Sequence, residues 1–290
     1  MAKALKVTVP DLIRRARRGE RLTMLTAYDL PVARLLDEAG VDAVLVGDSL
    51  GMVALGYSAT VPVTMEEMLH HAKAVRKGVS RALVIGDMPF MSFNIVKKET
   101  VRNAGRFLKE AGCDAVKVEG GQGSAESIEA VQAILQAGIP VLGHLGLTPQ
   151  TAVRLGGFRV QGKEAEPAVK LLEAAVELES AGCFGVVLEC VPALVAREIS
   201  GRLKIPTFGI GAGPHCDGQV LVTHDLLNLT GPFHPKFARA FARLDREILA
   251  ALSGFRRAVR QGSFPSAAES YSMDPHQARL FLEAVREERE

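Results

Sequence analysis

Tryptophan is absent from this chain of 290 residues, and asparagine occurs only at Asn94, Asn103 and Asn228. Scarce asparagine removes a thermolabile side chain, a trait that heat adaptation and genomic base bias both produce. The four cysteines, Cys113, Cys183, Cys190 and Cys216, form no CxxC pair. That spacing argues against a zinc site or a disulfide framework, so they read as reduced thiols. An excess of one charge is lacking too: 35 Lys and Arg face 33 Asp and Glu, a formal net charge of +2. No broad field exists to attract nucleic acid or an anionic membrane. The basic cluster RRARRGER, residues 14–21, has no interleaved aromatics and reads as the solvated face of a short amphipathic helix. No apolar run reaches the ~20 residues of a membrane helix. The opening MAKALKVTVPDL has no signal-peptide hydrophobic region. A cytoplasmic protein is expected.

What is present is a repeated unit. EAGVDAVLVGDS, EAGCDAVKVEGG, QAGIPVLGHLG and SAGCFGVVLECV share one design. A helix-favouring segment ends at Ala-Gly, where Gly40, Gly112, Gly138 or Gly182 can take the left-handed cap conformation. A β-branched-rich run follows at once, the αβ half of a βα repeat. Further runs at LTMLTAY, ALVIGDMP, IPTFGIGAG and GQVLVTHD bring the tally to eight candidate strands, starting near residues 22, 43, 82, 115, 140, 185, 206 and 219. Helical segments fall between them, at 65–77, 100–111, 124–136 and 164–181. The expected fold is α/β, a (β/α)8 TIM barrel with extra N-terminal and C-terminal helices. A doubly wound open sheet is the structural rival. The whole chain reads as one domain, with the barrel at about 22–233 and C-terminal helices and tail at about 235–290. Phe237, Phe241, Leu244, Ile248, Leu252, Phe255 and Val259 form one helical stripe, suited to packing on the barrel or on another subunit.

In a TIM barrel the chemistry lies where strands end. The ends read Asp48 and Ser49, then Asp87, then Lys117 and Glu119, then His144, then Glu189. Alternation places Lys117 and Glu119 on one side of their strand, with Val116 and Val118 on the other. Asp48 shares parity with Val44 and Val46, and Glu189 with Val187. Charges facing a barrel interior need partners or a metal. Asp48, Asp87 and Glu119 offer only oxygen, which suits Mg2+ and disfavours zinc. His144 suits a hydrogen bond to substrate or water. Lys117 either neutralises the carboxylates or holds a substrate carboxylate. Ser49 has no His–Asp relay and suits anion binding rather than nucleophilic attack. GIGAG, residues 209–213, fits either a phosphate loop or close backbone packing. GFRVQGK, residues 157–163, is a lid or a plain surface loop.

Assembled in order, VLVGDSLGMV, PVTMEEM, DMPFMSF, AVKVEGG, GHLGLTPQ, GGFRVQGK, VVLECVP, FGIGAG and FPSAAESY resemble the ketopantoate (3-methyl-2-oxobutanoate) hydroxymethyltransferase family. The chain departs from the family pattern at Ser58 and Ala59, at Lys97 and Lys98, and at Asn228, where glycine is common. The resemblance implies Mg2+-dependent transfer of one carbon from 5,10-methylenetetrahydrofolate to 3-methyl-2-oxobutanoate, giving 2-dehydropantoate for pantothenate synthesis. By the same resemblance Asp48, Asp87 and Glu119 contact the metal. Asp48, Ser49, Asp87, Lys117 and His144 lie on the substrate side, and Glu189 is the proton acceptor. A homo-oligomer, often decameric, is implied as well. Rival readings are a Mg2+-dependent carbon–carbon lyase or mutase of the phosphoenolpyruvate mutase and isocitrate lyase type, and a non-catalytic oxo-acid binder.

Overall fold

The computed structural model describes residues 5–120, 125–154, 156–231 and 235–287. Gly121 and Ser124, expected to close the second junction and open a helix, lie outside the described residues. Contacts divide the chain into two compact units, Met1–Phe241 and Ala242–Glu290.

In the first unit eight parallel strands pair in chain order and close on themselves. They are β1 (Leu22–Thr26), β2 (Ala43–Val46), β3 (Leu83–Asp87), β4 (Ala115–Glu119), β5 (Val141–Gly146), β6 (Gly185–Glu189), β7 (Thr207–Ile210) and β8 (Gly218–Leu221). Each start falls within one residue of its expected position. Parallel pairing of β8 with β1, Leu22 beside Gly218 through Leu25 beside Leu221, excludes the open sheet. Around the strands run α1 (Val9–Arg17), α2 (Leu30–Glu38), α3 (Leu50–Val53), α4 (Met65–Gly78), α5 (Lys97–Lys109), α6 (Ala125–Gln136), α7 (Ala165–Ala181), α8 (Ala193–Arg202) and α9 (Thr223–Leu226). The repeated glycines do what their context demands: Gly40, Gly112, Gly138 and Gly182 have φ of 81°, 71°, 80° and 106°. Such values cost an L-residue a clash that glycine avoids.

Strand alternation sorts the core into two layers. Val44, Val46, Val84, Val116, Val118, Val186 and Leu188 face the helices. Leu22, Met24, Ala43, Leu45, Leu83, Ile85, Ala115, Leu142, Val187 and Phe208 fill the barrel, together with Val7 and the fully buried Leu12 of α1. The N-terminal helix therefore closes the end where strands begin. Its basic face, expected to be solvated, is partly paired: Arg15 meets Glu20 at 2.8 Å and Asp42 at 2.5 Å.

The same layering corrects one expectation. Val44 and Val46 point outward, so parity with them would turn Asp48 away from the barrel. β2 ends at Val46, and a turn through Asp48 and Ser49 breaks the alternation and brings Asp48 inward. GIGAG serves packing. A side chain at Gly213 would meet Ala193 Cβ at 2.5 Å, and one at Gly211 the Phe237 ring at 2.9 Å.

In the second unit α10 (Leu244–Arg260) and α11 (Pro275–Glu287) flank an exposed turn. The apolar stripe begins later than its periodicity suggested. Phe237 and Phe241 precede the helix, and the Phe241 N–H donates to the Leu226 carbonyl at 2.8 Å. Ile248, Leu252, Phe255 and Val259 of α10 are exposed. Among the described residues no helix is long and apolar enough to cross a membrane.

Candidate functional site

Every strand-end residue singled out above lies at the rim where strands end, and six of them form one connected cluster. β3 and β4 are in register at Asp87 and Lys117, so two side chains of the same facing sit side by side. The Lys117 ammonium donates to both Asp87 oxygens at 2.7 Å and to Glu119 at 3.3 Å. β4 and β5 are in register at Glu119 and His144. His144 Nδ1 lies 3.4 Å from Glu119, and its Nε2 lies 3.3 Å from Glu189 of β6. Both contacts are at ion-pair distance but lack hydrogen-bond alignment. The Asp48 N–H donates to Asp87 at 3.2 Å, tying the β2 turn to β3. Ser49 stands beside this cluster, its hydroxyl 2.9 Å from the Tyr28 hydroxyl.

Two members of the site were missed by sequence reasoning. Gln150 lies in the 3-10 turn Pro149–Thr151 after β5. Its side-chain amide donates to Asp48 and to the Met88 carbonyl, both at 2.9 Å, and its backbone N–H donates to Glu119 at 3.1 Å. A neutral amide carries no charge signal, and only its place in GHLGLTPQ hinted at it. Tyr28 was hidden for a similar reason. It sits past β1 in a run that reads as plain strand, and it is buried.

Burial governs the electrostatics. Asp48, Asp87, Lys117, Glu119, His144 and Gln150 are all buried, while the Glu189 side chain keeps 16% of its surface open. Burial pushes the Asp48 carboxyl well up, and the charges of Asp87 and Glu119 add to it. Burial would raise Glu119 too, but Lys117 and then His144 overcome it and hold the group down to about 2. Burial and Lys117 oppose a proton on His144, yet Glu119 and Glu189 outweigh them and push it up to about 9. Lys117 stays charged despite burial because three carboxylates surround it.

One oxygen from each of Asp48, Asp87 and Glu119 lies within 4.8 Å of the others. Mg2+ takes oxygens at about 2.1 Å, so opposite ligands stand ~4.2 Å apart. Three buried carboxylates, with no sulfur and no nitrogen among them, fit such a hard cation in chemistry and size. Cys190 is half-buried, with φ of 48°. Its carbonyl accepts from the Gln161 N–H at 2.9 Å, which fastens the loop 157–163 beside the end of β6.

A sequence profile described as ketopantoate hydroxymethyltransferase matches residues 6–267. A 3-methyl-2-oxobutanoate hydroxymethyltransferase from Moorella thermoacetica is 56% identical over 271 residues, covering 93% of this chain and 100% of that protein. One from Heliobacterium modesticaldum is 53% identical over 278 residues, covering 96% and 100%. Among solved structures, a phosphoenolpyruvate phosphomutase from Streptomyces platensis subsp. rosaceus matches with a TM-score of 0.58 and 15% identity, covering 97% of each chain. A 2,3-dimethylmalate lyase matches with a TM-score of 0.55 and 16% identity, covering 93% of each chain. Identity that low shows a shared barrel and nothing finer. The near-complete profile match and the relatives above 50% identity decide the family: this chain belongs to the ketopantoate hydroxymethyltransferases.

Proposed function

We propose that the protein transfers the methylene carbon of 5,10-methylenetetrahydrofolate to C3 of 3-methyl-2-oxobutanoate. Water supplies the new hydroxyl oxygen, and 2-dehydropantoate and tetrahydrofolate leave. The observation that carries this reading is the meeting of three buried carboxylates, one lysine and one histidine with the partly open Glu189 at a single rim. Asp48, Asp87 and Glu119 would hold Mg2+. When bound, the ion would supply Lewis-acid polarisation of the oxo acid's carbonyl.

The chain's own groups have distinct tasks. Lys117 keeps the cluster close to neutral and offers an ammonium to a bound carboxylate. Ser49, held by Tyr28, presents a hydroxyl to the same anionic substrate. Glu189 takes the C3 proton, for two reasons. It alone in this cluster keeps a clear fraction of its surface open, and it stands across His144 from the acidic group. His144 lies between Glu119 and Glu189, at ion-pair distance from both. Water releases the methylene carbon from both folate nitrogens as a formaldehyde unit, and the electron pair left at C3 adds to its carbonyl carbon while the oxygen takes up a proton.

Glu189→Gln tests the assignment. The variant should bind the oxo acid as the wild type does, yet exchange the C3 proton into deuterated water at least ~100-fold more slowly, the usual scale of general-base catalysis. NMR follows the exchange. Exchange at the wild-type rate would remove Glu189 from this role. If the protein instead cleaves a 2-oxo or 2-hydroxy acid without folate, the lyase reading replaces this one.

A further inference from the structure

We infer that Gln150 is a positioning residue for the acidic cluster, holding Asp48 through its carboxamide and Glu119 through its own backbone N–H. The inference rests on the reading of Asp48, Asp87 and Glu119 as a cation site and goes one step further.

Three observations carry it. First, Gln150 bridges two carboxylates that come from different strand ends, β2 and β4, at 2.9 and 3.1 Å. Second, the orientation of the amide follows from its partners. Nε2 faces a carboxylate oxygen and a carbonyl oxygen, both at 2.9 Å. The flipped amide would set an acceptor against two acceptors. Third, the residue is held firmly. Pro149 limits the turn's φ, the Thr151 N–H closes on the Thr148 carbonyl at 3.0 Å, and the Thr148 and Thr151 hydroxyls meet at 2.5 Å. Gln150 itself is buried. A hydrogen bond from a fixed donor to a buried carboxylate is strong and directional. It selects one rotamer of Asp48 from those that would let the oxygen turn away. The charged groups explain how the cluster is neutralised; Gln150 explains why its oxygens converge.

The bond to the Met88 carbonyl offers a competing account, in which Gln150 merely anchors the loop after β5. Mn2+ titration by electron paramagnetic resonance, with no substrate and no folate present, separates the two. Gln150→Met keeps the volume and removes both side-chain donors. It should raise the Mn2+ dissociation constant by ~10-fold or more, the scale for partners of metal ligands. Thr151→Val weakens the same turn without touching the carboxylates and should bind Mn2+ within twofold of the wild type. Circular dichroism confirms folding of each variant. Should Gln150→Met not fold, Gln150→Asn, too short to span both acceptors, is judged by the same criterion. Unchanged affinity in the Gln150 variant overturns the inference, as does an equal loss in Thr151→Val. Asp48→Asn keeps the two readings apart. If it binds Mn2+ like the wild type, the cation site itself fails; if it alone loses affinity, only the role of Gln150 fails.

Discussion

Asn228 shows how much one backbone angle explains. The family pattern favours glycine here, and the structure gives the reason: φ is 61°, in the left-handed region. Asparagine is among the few side chains that tolerate it. Asn228→Ala should therefore lose ~1 kcal/mol of stability in urea unfolding, while Asn228→Gly stays near the wild type. A larger loss with glycine than with alanine would refute the backbone explanation. Residues of this kind also mark the limit of sequence reading. Asp87, Lys117, Glu119, His144 and Glu189 were legible because each is a charge or imidazole interrupting a hydrophobic strand at its end. Gln150 and Tyr28 were not, because their value lies in where a neighbouring carboxylate or hydroxyl happens to stand. Asp48 was named for a partly mistaken reason, since its strand stops two residues before it.

At the scale of elements, the junction between α4 and β3 is held by a carboxylate from an earlier helix. Asp37, near the end of α2, accepts from the N–H groups of Ser80, Arg81 and Ala82 just ahead of β3, at 2.7 to 3.1 Å, and from the Ser80 hydroxyl at 2.8 Å. Partial burial pushes this carboxyl up, but the four donors outweigh it and hold it below the usual range. A depressed carboxyl contributes stability above its unfolded pKa and loses it as pH falls through the folded value. The urea midpoints of wild type and Asp37→Asn should therefore differ at pH 6 and converge as pH drops below ~4. A constant gap would show that the carboxylate's charge is irrelevant. Element boundaries were largely readable for a related reason. The Ala-Gly stops are chemical punctuation, whereas the start of α10 was misplaced because periodic phenylalanines continue upstream of the helix. α5 likewise opens at Lys97 without a side-chain cap, in keeping with the departure noted there.

For the barrel unit, the strand-pinning aspartates and the candidate site lie on opposite rims. Where strands begin, Asp42 accepts from the Thr23 N–H, Asp114 from Val84 and Asp217 from Thr207, each at 2.8 Å. These aspartates pin three neighbouring strand pairs, and α1 closes the floor with Leu12. Strand-end carboxylates gather at the other rim, as expected for this fold. Leu12→Ala should therefore cost ~3 kcal/mol in unfolding free energy and leave Mn2+ affinity unchanged. A parallel loss of affinity would show that the two rims are coupled through the core.

The bond from Gln161 to the Cys190 carbonyl has a mechanical meaning for the top rim. Cys190 directly follows Glu189, so the loop is fastened to the backbone one residue from that carboxylate. Any displacement of residues 157–163 would pull on the peptide next to the proposed proton acceptor.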